Sequence, residues 1–105
     1  MSDPVTVTVE GTHATVSLGG EFDMPMTFAV EPALERTVER PDVDAITVDL
    51  SGLRFIDSTG VGVLLRLEEE SRARGVALAI TPGPREVQRV FELAGLEDVL
   101  PFVPG

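Results

Sequence analysis

Residues 5–18 alternate with a period of two, and no other stretch limits the possible folds so sharply. Val5, Val7 and Val9 alternate with Thr6 and Thr8; Ala14, Val16 and Leu18 alternate with His13, Thr15 and Ser17. A period of two sends each set to its own face, so both runs read as half-buried strands. Glu10-Gly11-Thr12 between them is short enough to close a hairpin. A chain that opens on an antiparallel hairpin does not build a wholly parallel sheet.

The remaining elements alternate in type. A third strand is expected over Ala45–Leu50, with Ile46, Val48 and Leu50 on one face, and a fourth over Val76–Ile80. Val99–Val103 offers an edge strand, because Pro101 keeps it from the sheet centre. Three helices are expected between them. The first spans Thr27–Glu39, with Val30, Leu34 and Val38 at i, i+4 and i+8; Pro32 is placed in an early turn and Pro41 marks the end. Ser58–Arg74 is the second, apolar in its first half, charged in its second, and ended by Gly75. Pro84–Ala94 is the third, with Val87, Val90, Phe91 and Ala94 on one stripe and Gly95 as its cap. The order β-β-α-β-α-β-α predicts a single α/β domain over residues 1–105. It has a mixed four- to five-stranded sheet whose strand–helix–strand units are parallel right-handed crossovers. The opposite strand faces carry Thr, Ser and Ala, so the helices are expected mainly on one side.

Composition narrows the function. At 105 residues the chain can bury roughly two-thirds of its unfolded surface in one core. Its formal net charge is -10, with eight basic residues, all Arg. That balance argues against nucleic acid and anionic membranes, which would repel it. Without Cys there is no disulfide framework and no thiolate metal site. No apolar run approaches the ~20 residues that span a bilayer, and MSDPVTVTVE lacks a signal pattern, so a cytoplasmic location is expected.

The residues capable of chemistry are few. His13 alternates outward on the hairpin, and nothing places it near Ser58 for a Ser-His-Asp arrangement. Asp23, Asp49 and Asp57 lie near strand ends, as in a phospho-acceptor receiver domain, but such a domain needs a Lys and a fully parallel sheet. Ser58-Thr59-Gly60-Val61-Gly62 lacks the Gly-Lys-Ser/Thr ending of a P-loop. No enzyme activity, cofactor or metal is therefore expected. Asp57 or Ser58 suits the N-cap of the second helix, a contribution of about 1 kcal/mol. That role leaves Gly60 and Gly62 unexplained, since each costs up to ~1 kcal/mol relative to Ala inside a helix. Bare backbone there either lets another element pack closely or lets a partner approach.

Asp49-Leu50-Ser51-Gly52-Leu53-Arg54-Phe55-Ile56-Asp57-Ser58-Thr59-Gly60-Val61-Gly62 resembles the signature of STAS domains, nearest to bacterial anti-sigma-factor antagonists. Gly20-Glu21-Phe22-Asp23 is similar to the family's motif before its first helix, and Val90–Leu96 to its late Gly-Leu motif. Together they cover the chain from the first strand to Phe102; Met24-Pro25-Met26 and Pro32 depart from the usual start of the first helix. The resemblance implies a STAS fold and regulation by partner switching. The unphosphorylated protein would bind an anti-sigma factor that is also a Ser/Thr kinase, freeing a sigma factor. The kinase would phosphorylate Ser58 and a phosphatase would reverse it. Glu21, Asp23, Asp57, Ser58, Thr59, Gly60 and Gly62 are then the expected partner-binding residues, and a monomer is favoured. Two other readings stand beside it. One is a STAS module of another assembly, such as a stress-signalling complex or a lipid-transport accessory subunit; the other is a phosphate- or nucleotide-binding domain.

Overall fold

The computed structural model describes residues 3–104, so the ends of the expected 1–105 domain lie outside the described residues. Strands β1 (Val5–Glu10) and β2 (His13–Phe22) form the antiparallel hairpin, turning at Gly11 with φ +61°. A positive φ at the first turn position is what a two-residue hairpin of this hand requires. Helix α1 (Met24–Val38) leads to β3 (Ala45–Ile56), α2 (Ser58–Arg74) to β4 (Ala77–Thr81), and α3 (Arg85–Leu93) follows. The sheet order is β1-β2-β3-β4, with β2, β3 and β4 mutually parallel.

One face of the sheet is covered and the other is open. Ala14, Val16, Leu18, Ile46, Val48, Leu50 and Ile80 are buried, together with Val30 and Leu34 of α1, Leu64 of α2 and Val87 and Phe91 of α3. These side chains make one core, as expected from strands apolar on a single side. The opposite face carries Thr15, Ser17, Thr47 and Asp49, with His13 Nε2 and Thr47 Oγ1 2.7 Å apart. The last segment adds one parallel bridge, Ile80 to Phe102, rather than a fifth strand. Phe102 meets Phe91 edge-on, with ring centroids 5.0 Å apart, and Leu100 is buried.

Three expected elements have other bounds in the structure, and the first is β2, which runs four residues past Leu18 to Phe22. β3 runs six residues past Leu50, because its pairing with β2 shifts register twice, between Ser17 and Gly19 and between Gly20 and Glu21. Each shift adds a residue to β3, so its buried positions step from Ile46, Val48 and Leu50 to Leu53 and Ile56. A Cβ on Gly52 would sit 2.9 Å from the Leu18 carbonyl oxygen, which is why glycine occupies the first irregularity. α1 begins three residues before Thr27, and Pro32 lies in its middle rather than in an early turn. Pro32 is exposed, as is Phe28, whose carbonyl would have accepted the missing N–H.

That placement predicts a gain from substitution. Alanine at Pro32 restores a hydrogen bond and helix propensity, partly offset by a more flexible unfolded chain. Pro32→Ala is expected to raise unfolding stability by about 1–3 kcal/mol, read from urea denaturation.

Candidate functional site

The site is assembled where two parallel strands end together. Phe22, the last residue of β2, pairs with Ile56, the last of β3. The Asp57 N–H donates to the Phe22 carbonyl at 3.2 Å. The next residue of each strand, Asp23 and Asp57, is the N-cap of the helix that follows. Sequence order thus sets two capped helix N-termini in neighbouring positions at one edge of the sheet.

The two caps are bonded differently. Asp23 Oδ1 accepts from the Met26 N–H at 3.3 Å. Asp57 Oδ1 accepts from the Thr59 N–H at 3.0 Å and the Gly60 N–H at 3.2 Å. It also takes the Thr59 hydroxyl. That hydroxyl, with the Gly60 and Thr59 amides, holds the Asp57 carboxyl below its ordinary pKa against the opposing effect of partial burial. Thr59 is half-buried with its hydroxyl committed to Asp57, whereas Ser58 is exposed at the first helical position.

The paired glycines separate into two roles. A Cβ on Gly60 would lie 2.7 Å from the Phe22 carbonyl oxygen and 2.9 Å from both Ile56 Cγ1 and Phe22 Cγ. Gly60 is buried, so it lets α2 start hard against the strand ends and does not hold the approach open. At Gly62 the nearest outside atom to a built Cβ is Arg66 Nη1 at 3.5 Å, an ordinary contact. Gly62 alone leaves bare, accessible backbone one turn from Ser58.

Glu21 is paired with Arg54, Oε2 to Nη2 2.6 Å, across the second register shift. Arg66 of α2 reaches Glu31 of α1 at 2.7 Å, above an interhelical groove of about 220 Å³ that includes Leu34, Val38, Val63 and Leu67. Three exposed apolar side chains in the segments flanking the caps were not anticipated: Met24 (58% exposed), Phe28 (77%) and Phe55 (48%). Phe28 falls off the Val30–Leu34–Val38 stripe, a signal present in the sequence. Phe55 carried no such signal, because the register shift reassigns its face. His13 stands at the far end of β2 from Asp23 and Asp57, which leaves Ser58 without a histidine neighbour along these strands.

These contacts give two expectations. Gly60→Ala should lose about 1–3 kcal/mol through overpacking, while Gly62→Ala should hold its thermal midpoint or gain up to about 1 kcal/mol from helix propensity. Asp57→Asn keeps a capping oxygen but loses the charge at the helix N-terminus, so it should be less stable by about 0.3–1 kcal/mol at pH 7. A depressed carboxyl pKa stabilises the fold above its unfolded value and loses that contribution as pH falls through the folded value. The gap between wild type and Asp57→Asn should therefore be constant above about pH 5 and close below about pH 3.9 in denaturation series.

Comparison with known proteins agrees with this architecture. The family model described as "Mlab, STAS domain" matches residues 5–103. Anti-sigma-F factor antagonist RsfB of Mycobacterium tuberculosis is 30% identical over 97 residues, 90% of this chain and 78% of that protein. The crystal structure of an anti-sigma factor antagonist from Mycobacterium paratuberculosis superposes with a TM-score of 0.86 at 26% identity, over 100% of this chain and 92% of that one. Unphosphorylated SpoIIAA, an anti-sigma factor antagonist, matches in fold with a TM-score of 0.78 at 22% identity, over 95% and 88% of the two chains. With its mixed sheet, its helices on one face and its two capped helix starts at the strand ends, this chain belongs to the STAS domain family.

Proposed function

We propose that this protein is a cytoplasmic, non-enzymatic anti-sigma-factor antagonist whose partner binding is switched off by phosphorylation of Ser58. The observation that carries the reading is the division between two adjacent hydroxyls. Thr59 Oγ1 is bonded to the Asp57 carboxylate, whereas Ser58 is exposed on the first turn beside the open backbone of Gly62. A kinase can reach only the second of these without breaking a side-chain hydrogen bond to the capping carboxylate. The named functions of the relatives, anti-sigma factor antagonists, support the same class of partner.

The mechanism follows from charge. The unmodified edge offers a neutral Ser58 hydroxyl and the capping carboxylates Asp23 and Asp57, with exposed Met24, Phe28, Phe55 and Glu21 in the flanking segments, to an anti-sigma factor that is also a Ser/Thr kinase. A phosphate brings about -1.5 to -2 charges beside Asp57, on a molecule already at -10. The helix N-terminus tolerates that anion through its dipole, so the domain has no reason to unfold. The cost falls on the interface, where a buried unpaired charge opposes contact by several kcal/mol. A phosphatase that removes the group restores binding.

Ser58→Asp should fold normally yet bind the anti-sigma kinase on the order of a hundredfold more weakly, since each 1.4 kcal/mol is tenfold. Ser58→Ala should bind constitutively and accept no phosphate. Circular dichroism, a binding isotherm and peptide mapping after kinase treatment read all three. Phosphate on Thr59 of Ser58→Ala at the native rate, or wild-type affinity in Ser58→Asp, would overturn the reading. A STAS module of another assembly would fold identically and bind no anti-sigma factor.

A further inference from the structure

The sheet has two edges, and they are finished differently. β4 is partly covered: Ile80 N–H donates to the Pro101 carbonyl at 2.9 Å and Val103 N–H to the Ile80 carbonyl at 2.9 Å. Prolines 101 and 104 flank that bridge, and proline cannot extend a ladder. β1 pairs only with β2 among the described residues, and Arg36 of α1 and Arg40 just past its end stand beside Val7 on the covered face but leave the strand's outer backbone unpaired. Its sequence, VTVTVE, has no Pro, no Lys and no charge before its last residue.

The hydrogen-bond phase of that edge can be read from one bond. Gly19 N–H donates to the Pro4 carbonyl at 3.0 Å, and the register pairs Val5 with Leu18 through Glu10 with His13. In an antiparallel ladder, hydrogen-bonded and non-hydrogen-bonded pairs alternate. Pro4, Thr6, Thr8 and Glu10 therefore direct their polar backbone groups at β2. Val5, Val7 and Val9 direct theirs outward, in a row of three donors and three acceptors.

In place of the monomer favoured on the sequence, we infer that this edge pairs with β1 of a second copy, antiparallel about a two-fold axis at Val7. That register sets Val7 against Val7 of the partner subunit as a hydrogen-bonded pair, and Val5 against the partner's Val9, so all six outward groups are satisfied. The side chains agree with the same register. Val meets Val on the covered face, where Val7 is 39% exposed despite lying opposite buried Val16. Thr6 meets the partner's Thr8 on the open face, and such cross-strand pairs are favourable. Glu10 falls opposite the partner's Pro4, so no two carboxylates of the strand are juxtaposed. An isologous contact of this kind closes as a dimer and leaves no free β1 edge for further addition. Ser58 lies beyond the end of β3, two strands from the axis, so the contact does not depend on the proposed switching.

The test uses charge pairs on exposed positions. In this register, Thr6→Lys with Thr8→Lys sets like charges directly opposite each other twice. Thr6→Lys with Thr8→Glu sets opposite charges there. The first variant carries two fewer net negative charges, so general repulsion alone would favour its association. Sedimentation equilibrium on the full chain up to about millimolar concentration is expected to show a wild-type dimer. The Lys/Lys variant should be about tenfold weaker than the Lys/Glu variant. Amide hydrogen exchange supplies the second readout: the Val5, Val7 and Val9 N–H groups should gain protection with concentration, while those of Thr6 and Thr8 are protected throughout. A wild-type chain that stays monomeric at millimolar concentration overturns the proposal. So does a dimer whose affinity ignores the charge pairs or whose Val5, Val7 and Val9 amides stay fast.

Discussion

The pairing of Phe22 with Ile56 at the last rung of the β2–β3 ladder is the contact on which the candidate site depends. Both side chains are buried, and the Asp57 N–H closes onto the Phe22 carbonyl. Because the strands are parallel and end together, the chain leaves each in the same direction and starts a helix at the same level. Gly60 completes the joint, since any side chain there would meet the Phe22 carbonyl. Lengthening either strand by one residue would turn its last side chain to the other face and move one helix start away from the other.

This arrangement puts two carboxylates, Asp23 and Asp57, into neighbouring positions on an acidic protein. It is tolerable because each is occupied by N–H groups of its own helix and faces the positive end of a helix dipole. Two of the arginines along these elements are already engaged, Arg54 with Glu21 and Arg66 with Glu31. Those pairs are solvent-exposed and individually worth at most about 1 kcal/mol. A phosphate on Ser58 would therefore meet the positive end of the helix dipole, while the Thr59 and Gly60 amides stay bonded to Asp57 and Arg54 and Arg66 already have partners. The proposed modification would be accepted locally while presenting a changed surface outward. Stability and recognition are separated there, as a reversible switch requires.

Much of this was legible in the sequence, where local chemistry decides the outcome. The limits of α2 could be read directly, because an Asp-Ser start and a Gly75 stop are signals contained in neighbouring residues. The hairpin followed from strict alternation. The second half of β3 did not, because two added residues break the period of two after Leu50, and that irregularity is set by the partner strand. The start of α1 was placed late because Met24-Pro25-Met26 hides the apolar stripe, although Asp23 before Pro25 is itself a start signal. The paired glycines mark the limit of local reading. Gly60 is explained by a carbonyl 38 residues earlier in the chain and Gly62 by open space, and neither neighbour is written near them.

The parallel core adds a constraint that no single motif carries. β2, β3 and β4 run in the same direction, so α1, α2 and α3 all begin at one edge of the sheet. Their positive dipole ends gather there, and the sequence answers with acid: Asp23 and Asp57 as caps, and Glu86 in the first turn of α3. The polar Thr, Ser and Ala face needs no cover, so the three helices share one layer. Charge at the strand ends is thus a consequence of topology before it is a feature of recognition. The Ser58 hydroxyl, proposed as the phosphate acceptor, lies on the first turn of the middle helix, where an anion costs the fold least.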